Sequence, residues 1–441
     1  MNKILVLGAG LVSRPGVHYL LEQKGLQVTV ASRTVSKAEN LVKGHANGRA
    51  VAVDVENEKE LAALIAQNDI VISLLPWIHH VKVAGLCLEH GKNMVTTSYV
   101  SEGMKKLAPA VSAKGLIFLN EIGVDPGIDH MSAMKIIHQV EAEGGKVLHF
   151  HSYCGGLPAP EHNDNPFGYK FSWSPRGVVL ASRNSARYLE DGKVVEIPGK
   201  DLFANPKVEE VEGLGKFEVY PNRDSVPYKE LYGLKDALTV IRGTYRNIGW
   251  CETLKKIVEL GLVDEAPQPG LKGISFRQMT AGLVGAAAGK DLKKETAKKL
   301  GIAASSAVMK RLEWLGLFSD EAIPEAGSYL DVLSAQLQKK LFFREGEKDL
   351  LLLRHRFIVE NKDKSRDLIT STLIDFGIPF GDSSMARTVS LPMAIGTRLI
   401  AEGRITRQGV FIPVTPDVYL PVLAELETLN ITMAETRSHL K

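Results

Sequence analysis

Residues 4–16, ILVLGAGLVSRPG, place an apolar run directly before a glycine turn and the start of a helix. This order of strand, tight turn and helix is the one that holds the pyrophosphate of a dinucleotide. Gly8 makes the turn, and Gly10, which has no Cβ, lets the backbone approach phosphates at the helix N-terminus, where unpaired N–H groups favour anions. Ser13 stands at the third glycine position of the pattern and is small enough for close packing. A merely tight strand-to-helix connection is the alternative interpretation.

Five further short apolar runs follow, separated by stretches with helical character. This alternation is typical of a Rossmann-type, doubly wound parallel sheet, so the predicted fold class is α/β. The six predicted strands are Ile4–Leu7, Gln27–Ser32, Ala50–Val53, Ile70–Leu75, Asn93–Thr97 and Leu116–Asn120.

The chain beyond this sheet predicts a second, α+β domain and a small helical insert. Strands lengthen from Lys146, loops become rich in glycine and proline, and residues 266–345 are dominated by Lys, Ala and Leu. A hairpin of Leu350–Val359 and Arg366–Asp375 is predicted to complete the second sheet, and a final helix begins after Ser383 or Ser384. We therefore predict a dinucleotide-binding domain of residues 1–125 plus about 383–405, an α+β substrate domain of residues 126–265 plus 346–382, and a helical insert of residues 266–345.

The composition limits the class of protein. A chain of 441 residues is long enough for two or three domains, and a net charge of +3 gives no field that would favour nucleic acid. Three cysteines, the lack of an apolar run of ~20 residues and a strand at the very start predict a cytoplasmic protein without a signal peptide or membrane helix. No metal is predicted, because the histidine clusters lack the spacing and companion ligands of a zinc site. These clusters are His79-His80, His149 with His151, and Asp129-His130.

The end of the second predicted strand indicates which dinucleotide binds. NAD-binding sheets usually end this strand in Asp or Glu, whereas this chain has Ser32-Arg33-Thr34. A carboxylate there would repel a 2′-phosphate, and an arginine pairs with it through charge-assisted hydrogen bonds, so NADP is predicted. A solvated surface arginine is the alternative. Asp54-Val55 and Leu75-Pro76 follow the next two strands and are placed to line the dinucleotide, although ordinary turn roles remain open for both.

Two polar turns follow the fifth and sixth predicted strands. Thr96-Thr97-Ser98-Tyr99 comes after the fifth strand, and Asn120–Gly127 comes after the sixth. Ligands of such sheets bind at the carboxyl ends of the strands, so we expect a hydroxyl cluster and the Asp125 carboxylate to face the nicotinamide. Asp125-Pro126-Gly127 also fits a plain turn that leads into the helix beginning at Ile128.

Arginine, hydroxyl and aromatic residues cluster at four places in the second domain, which we predict to be loops or strand ends. Fixed arginines there can bind carboxylates through paired hydrogen bonds. Isolated surface arginines are the alternative at each place. The four clusters are Tyr153-Cys154-Gly155-Gly156, Lys170–Ser174, Pro221–Asp224 and Arg242–Arg246.

Many of these strings resemble the saccharopine reductases, the NADP-dependent, glutamate-forming saccharopine dehydrogenases. The likeness covers most of the chain and includes GAGLVSRPGVHYLLE, TVASRT, NDIVISLLP, VTTSYVS, NEIGVDPGIDH, NDNPFGYKFSWSPRGV, YPNRDSVPYKELY and VIRGTYR. The resemblance implies a reversible reaction in which glutamate and aminoadipate semialdehyde condense to an imine that accepts hydride from NADPH. It also implies a homodimer formed through the α+β domain and small-molecule substrates. The net charge and the lack of a long apolar run predict neither nucleic acid nor membrane as a partner.

The same resemblance implies roles for individual residues. Besides Gly8 of the turn, cofactor contacts fall on Ala9, Gly10, Leu11, Val12, Ser32, Arg33, Thr34, Asp54, Val55, Leu75, Thr97, Val124, Pro126 and Ser174. Substrate contacts fall on Ser98, Tyr99, Asp125, Arg223, Thr244, Tyr245 and Arg246. We expect the Asp125 carboxylate to stabilise an iminium cation and Tyr99 to pass protons, with Cys154 as a third catalytic candidate. A related NADP-dependent reductase of another amino-acid or diamine imine, or a non-enzymatic NADP-binding protein, are the alternatives.

Overall fold

The computed structural model describes residues 1–440, which divide into two compact units. The first unit comprises residues 1–146, 361–365 and 370–439, and the second comprises residues 147–360, 366–369 and 440. The strands are β1 Asn2–Leu7, β2 Leu26–Ser32, β3 Gly48–Ala52, β4 Ile70–Ser73, β5 Asn93–Thr96, β6 Ile117–Leu119, β7 Lys146–Pro158, β8 Ala186–Glu190, β9 Lys193–Ile197, β10 Lys207–Val211, β11 Gly215–Pro221, β12 Thr239–Asn247, β13 Asp349–Glu360, β14 Arg366–Phe376, β15 Gly409–Phe411 and β16 Ala434–Leu440. The α-helices are α1 Arg14–Leu21, α2 Val35–Val42, α3 Glu58–Ala66, α4 His80–His90, α5 Glu102–Ala113, α6 Ile128–Ala142, α7 Pro175–Ala181, α8 Tyr228–Leu231, α9 Trp250–Glu259, α10 Phe276–Val284, α11 Leu292–Lys299, α12 Ala307–Leu315, α13 Tyr329–Lys340, α14 Ser384–Ala401 and α15 Pro416–Thr428.

The first unit contains an all-parallel sheet with the strand order β15-β6-β5-β4-β1-β2-β3. The six predicted strands are confirmed, and so is the Rossmann-type fold class. Residues Ile4–Leu7 are fully buried, as expected for a central strand covered on both faces. The direction in which strands are added reverses beside β1, which places a ligand crevice outside the carboxyl ends of β1 and β4.

Helices cover both faces of this sheet. Leu61 of α3, Val83 of α4 and Met104 of α5 share one apolar cluster with the β1 side chains Leu5 and Leu7. Helices α1 and α14 pack against each other so closely that a Cβ on Gly16 would lie 2.7 Å from the Ser390 carbonyl oxygen. The sheet is therefore doubly wound.

The C-terminal segment holds three elements that the sequence did not predict, namely β15, α15 and β16. The predicted helix is α14, and Ser383 caps it by accepting a 3.1 Å hydrogen bond from the backbone N–H of Ala386. It is not the last helix, because α15 follows. Strand β15 adds a seventh parallel strand beside β6, and its three residues are too few to show a periodicity.

The second unit is built on a mixed sheet in which β10, β11, β12, β7 and β13 are neighbours in that order. Strand β12 runs antiparallel to β11 and parallel to β7. One prediction is wrong here. We predicted that Cys154 lies in a loop or follows a strand, and it lies within β7. The cluster Arg242–Arg246, predicted as a loop or strand end, forms the C-terminal part of β12.

Residues 266–345 contain the four helices α10 to α13, in keeping with their helical composition. Ser275 begins α10 with a capping box, and Asp291, Ser306 and Ser328 cap the other three. The compact units place α6 in the first unit, whereas we predicted that it belongs with the substrate domain. The three-domain division stays a prediction.

Candidate active site

The glycine turn after β1 has the geometry of an anion site. Gly8 has φ +114°, and a Cβ there would lie 3.0 Å from the Leu74 carbonyl oxygen, so the turn requires glycine. A Cβ on Gly10 would meet no atom within 4 Å. The buried Ser13 hydroxyl donates a 2.8 Å hydrogen bond to the Gly10 carbonyl, which closes the turn in place of a third glycine. No acidic residue lies in the first turn of α1 to oppose an anion.

Arg33 follows β2, is exposed and makes no ion pair among residues 1–440. It lines an open cavity of about 240 Å³ together with Ala52, Val53, Asp54 and Glu60. A free guanidinium at the mouth of a cavity beside β2 and β3 is available to an anionic group. These residues therefore fit the adenosine end of NADP carrying its 2′-phosphate.

The other predicted cofactor residues of the first unit also follow strands. Asp54 and Val55 come after β3, Leu75 after β4 and Thr97 after β5, while Val124 and Pro126 lie in the turn after β6. Because the strands are parallel, their carboxyl ends share one edge of the sheet. Ser174 lies in the second unit, where its hydroxyl accepts a 3.2 Å hydrogen bond from Gly177 and caps α7.

Tyr99 and Asp125 are brought together at this edge. The Tyr99 hydroxyl donates a 3.0 Å hydrogen bond to Asp125 Oδ1. The turn carrying Asp125 is rigid, because Gly123 N–H donates to the Pro126 carbonyl at 2.8 Å and Gly127 has φ +147°. A Cβ on Gly127 would lie 2.0 Å from the Gly123 carbonyl oxygen, so no side chain fits.

Hydrogen bonds of two buried residues hold these turns in place. The sequence had predicted no role for either residue. The Glu121 carboxylate accepts a 2.8 Å hydrogen bond from Val100 N–H, and its other oxygen lies 2.8 Å from His130 Nε2. His130 is fully buried in α6, and Glu121 has φ +57°. Glu121 therefore ties the turn after β5 to the turn after β6. In the sequence, the only feature that pointed to this role of Glu121 is its position within the string NEIGVDPGIDH.

In the second unit, Cys154, Thr244 and Arg246 lie on one face of the sheet. Cys154 on β7 is the register partner of Thr244 on β12, and side chains two residues apart on a strand share a face. Glu218 and Tyr220 of β11 pair with Arg246 and Thr244, respectively. Burial raises the pKa of Tyr220 to about 12. The register thus brings three predicted site residues together.

Arg246 is buried without a counter-ion. Its guanidinium is centred 5.0 Å from the Tyr169 ring and 5.5 Å from the Trp250 ring, and its Nη1 donates to the Tyr245 carbonyl at 2.9 Å. Its Nε has no hydrogen-bond partner, and no carboxylate of residues 1–440 lies within 4.0 Å of it. Ser172 Oγ and Trp250 Nε1 are buried without partners as well. A buried cation is costly unless an anion pairs with it, so this cluster fits a carboxylate ligand.

Tyr245 points to the opposite face. Its hydroxyl donates a 2.8 Å hydrogen bond to Glu209, and its ring packs edge-on against Tyr153. The main-chain carbonyl of Tyr245, and not its side chain, contacts the Arg246 guanidinium. Arg223 lies exposed after β11 with φ +58°, and its carbonyl accepts a 2.8 Å hydrogen bond from Arg187 N–H.

No helix among residues 1–440 is long and apolar enough to cross a membrane. The same residues contain no group of three or more histidine, cysteine, aspartate or glutamate side chains able to hold a metal ion.

The doubly wound sheet, its glycine turn and the free arginine after β2 define a Rossmann-fold dinucleotide-binding protein. Residues 4–119 match the saccharopine dehydrogenase NADP binding domain, and residues 123–431 match the saccharopine dehydrogenase C-terminal domain. The chain belongs to the saccharopine dehydrogenase family.

Individual relatives agree with this assignment over nearly the whole chain. The chain is 41% identical to the NADP(+), L-glutamate-forming saccharopine dehydrogenase of Schizosaccharomyces pombe, and the match covers 99% of each chain. It is 42% identical to the protein of the same name from Pyricularia oryzae, over 97% of this chain and 96% of that one. The solved apo structure of the L-Glu-forming saccharopine dehydrogenase of Saccharomyces cerevisiae superimposes with a TM-score of 0.90 at 38% identity, over 99% of this chain and 100% of that chain.

Proposed function

We propose that the protein is an NADP-dependent, L-glutamate-forming saccharopine dehydrogenase of lysine metabolism. It interconverts saccharopine, NADP⁺ and water with L-glutamate, L-2-aminoadipate 6-semialdehyde, NADPH and a proton. In the reducing direction the glutamate amine and the aldehyde lose water to form an imine, the imine carbon accepts hydride, and the nitrogen takes up a proton. When bound, NADPH supplies that hydride.

The observation that carries the proposal is the buried, uncompensated guanidinium of Arg246. Saccharopine has three carboxylates, and glutamate has two, so a binding protein must offer fixed cations to them. Arg246 is held by two aromatic rings and keeps Nε unpaired, which leaves it ready to donate to a carboxylate. Thr244 and Cys154 share its face of the sheet and complete a polar surface.

The residues of the first unit supply the complementary chemistry. Arg33 supports the choice of NADP, because it stands free where a 2′-phosphate would lie. The Asp125 carboxylate would favour an iminium cation, and the Tyr99 hydroxyl on Asp125 Oδ1 would pass protons to and from the reacting nitrogen. Cys154 is the third candidate.

An absorbance assay at the NADPH band tests this function. Saccharopine should reduce NADP⁺ and yield glutamate, and NADPH oxidation should require both glutamate and the semialdehyde. Oxidation with another amine would instead favour a reductase of a different imine. Dinucleotide binding without turnover of any imine would favour a non-enzymatic NADP-binding protein.

A homodimer and a cytoplasmic location complete the proposal. Ile374, Ile378 and Phe380 are exposed at 40%, 52% and 79% along the end of β14 and the loop after it, an apolar row that a second copy would cover. Light scattering should give twice the chain mass, and Ile378→Ser with Phe380→Ser should give the chain mass alone. The three cysteines are free and buried, which fits a reducing compartment, and fractionation of cells tests the location.

A further inference from the structure

A buried imidazole links the ends of two adjacent strands in the first unit. His80 Nδ1 lies 2.8 Å from Ser73 Oγ, and His80 Nε2 lies 2.8 Å from Ser98 Oγ. Ser73 is the last residue of β4, His80 is the first residue of α4, and Ser98 follows the end of β5. Ser73 is fully buried, and His80 is 5% exposed.

The imidazole is neutral near pH 7. Burial, reinforced by the nearby His79, lowers the pKa of His80 to about 4. A neutral imidazole carries one ring proton, so one ring nitrogen donates a hydrogen bond and the other accepts one. The two hydrogen bonds of His80 are therefore coupled in direction.

Ser73 decides that direction. Within residues 1–440 its hydroxyl has no hydrogen-bond partner other than His80 Nδ1. A buried hydroxyl hydrogen without an acceptor is costly, so Ser73 donates to Nδ1. The ring proton then sits on Nε2 and is donated to Ser98 Oγ.

This arrangement leaves the Ser98 hydroxyl hydrogen without an acceptor in the described part of the chain, since its side chain has no hydrogen-bond partner there besides His80. Ser98 lies next to Tyr99, whose hydroxyl contacts Asp125. The backbone around Ser98 is also fixed, because its carbonyl accepts a 3.2 Å hydrogen bond from Glu121 N–H. The hydroxyl therefore offers one oriented donor at the carboxyl edge of the sheet.

We propose that His80 is a positioning residue that, through Ser73, holds the Ser98 hydroxyl as a hydrogen-bond donor to a carboxylate oxygen of the substrate. The identity of that substrate rests on the proposed function, whereas the direction of the hydrogen bonds does not. The two parts are therefore tested separately.

Nitrogen NMR of the ¹⁵N-histidine-labelled, ligand-free protein tests the direction. The His80 signals, assigned by their loss in His80→Gln, should show an unprotonated Nδ1 and a protonated Nε2. The opposite tautomer, or a doubly protonated ring near pH 7, would overturn the proposal whatever the substrate is.

A double-mutant cycle tests the consequence for the substrate. Ser98→Ala and His80→Leu should each raise the KM for saccharopine about ten- to a hundredfold, as expected for one hydrogen bond to a charged carboxylate, with kcat and the NADPH dissociation constant unchanged. The double variant should be no worse than either single variant, because both remove the same donor. His80→Gln keeps an amide donor near the Nε2 position and should restore most of the affinity.

His79→Leu is the matched control, since this neighbouring histidine faces Glu56 at 3.4 Å instead of Ser98 and should leave the KM unchanged. Additive effects in the double variant, or a normal KM in His80→Leu, would overturn the role of His80. If the unmodified protein does not turn over saccharopine, the proposed function fails, and the NMR result still decides the arrangement of the hydrogen bonds.

Discussion

The hydroxyl of Tyr99 donates a 3.0 Å hydrogen bond to Oδ1 of Asp125, and this bond joins the turns that follow two adjacent parallel strands. Glu121 links the same two turns on the buried side through its hydrogen bonds to Val100 N–H and His130. The acidic group and the phenol are thus held by rigid backbone on both sides. Such fixed geometry is what proton transfer to a bound substrate requires.

Replacing Asp125 by Asn should lower turnover by about 10²-fold or more, because a positioned acid-base group is lost while the shape is kept. Tyr99→Phe should cause a smaller loss, since the carboxylate remains. NADPH affinity should not change in either variant. Asp320→Asn, at an exposed ion pair in the second unit, is the control. Near-normal turnover of Asp125→Asn would contradict a catalytic role for Asp125. Residues 125–127 would then serve only as the turn before α6.

Replacing Arg33 by Asp should weaken NADPH binding far more than NADH binding. Loss of one or two charge-assisted bonds to the 2′-phosphate corresponds to roughly 2 to 4 kcal/mol, or about 30- to 1000-fold. Titration of both dinucleotides by protein fluorescence measures the difference. An equal loss of affinity for both dinucleotides would show that Arg33 does not bind the 2′-phosphate.

Replacing Arg246 by Lys keeps a positive charge but removes the planar fork and its stacking on Tyr169 and Trp250. The KM for glutamate should rise at least about tenfold, with NADPH affinity unchanged. Arg223→Lys should act in the same direction but more weakly, because Arg223 is exposed. Arg277→Lys changes a surface ion pair with Asp320 and is the matched control, so its KM for glutamate should be unchanged. Normal saturation of Arg246→Lys by glutamate would contradict the assignment.

The parallel sheet and its turns were predictable from the sequence, because each strand is a short apolar run that ends in glycine or polar residues. The face shared by Cys154, Thr244 and Arg246 was not. It depends on the pairing of β7 with β12, which are distant in sequence and leave no local signal of register.

The burial of β12 was also hard to predict from the sequence, because this strand contains charged residues. Arginines at positions 242 and 246 suggest an exposed loop or strand end, yet both residues are 7% exposed and their side chains lie over aromatic rings. Tyr245 is adjacent to Arg246 in sequence but points to the other face, because side chains alternate along a strand. The contacts of the turn after β6 likewise depend on Glu121 and His130, whose burial the sequence does not reveal.

Replacing Gly127 by Ala should destabilise the first unit. The added Cβ would overlap the Gly123 backbone, and the φ of +147° is unfavourable for any L side chain, so we expect a loss of about 3 kcal/mol or more and a lower Tm. Gly282→Ala, where a Cβ would meet nothing within 4 Å, is the control and should not lower the Tm. A Gly127→Ala protein with an unchanged Tm would show that the turn can rearrange.

Two histidines whose pKa values are lowered in the folded protein should make it less stable in mild acid. Burial lowers the pKa of His80 in the first unit, and burial together with Arg356 lowers the pKa of His151 in the second, each from 6.5 to about 4. Between these two pKa values the unfolded chain binds more protons than the folded chain, so stability is lost as the pH falls from 6.5 towards 4. The slope is at most about 1.4 kcal/mol per pH unit for each histidine. Urea unfolding measures how the free energy of unfolding depends on pH. Below pH 6.5 this free energy should change less steeply with pH in His151→Gln than in the unmodified protein, and near pH 8 the two proteins should show the same dependence. Equal slopes of the two proteins below pH 6.5 would contradict the role of His151.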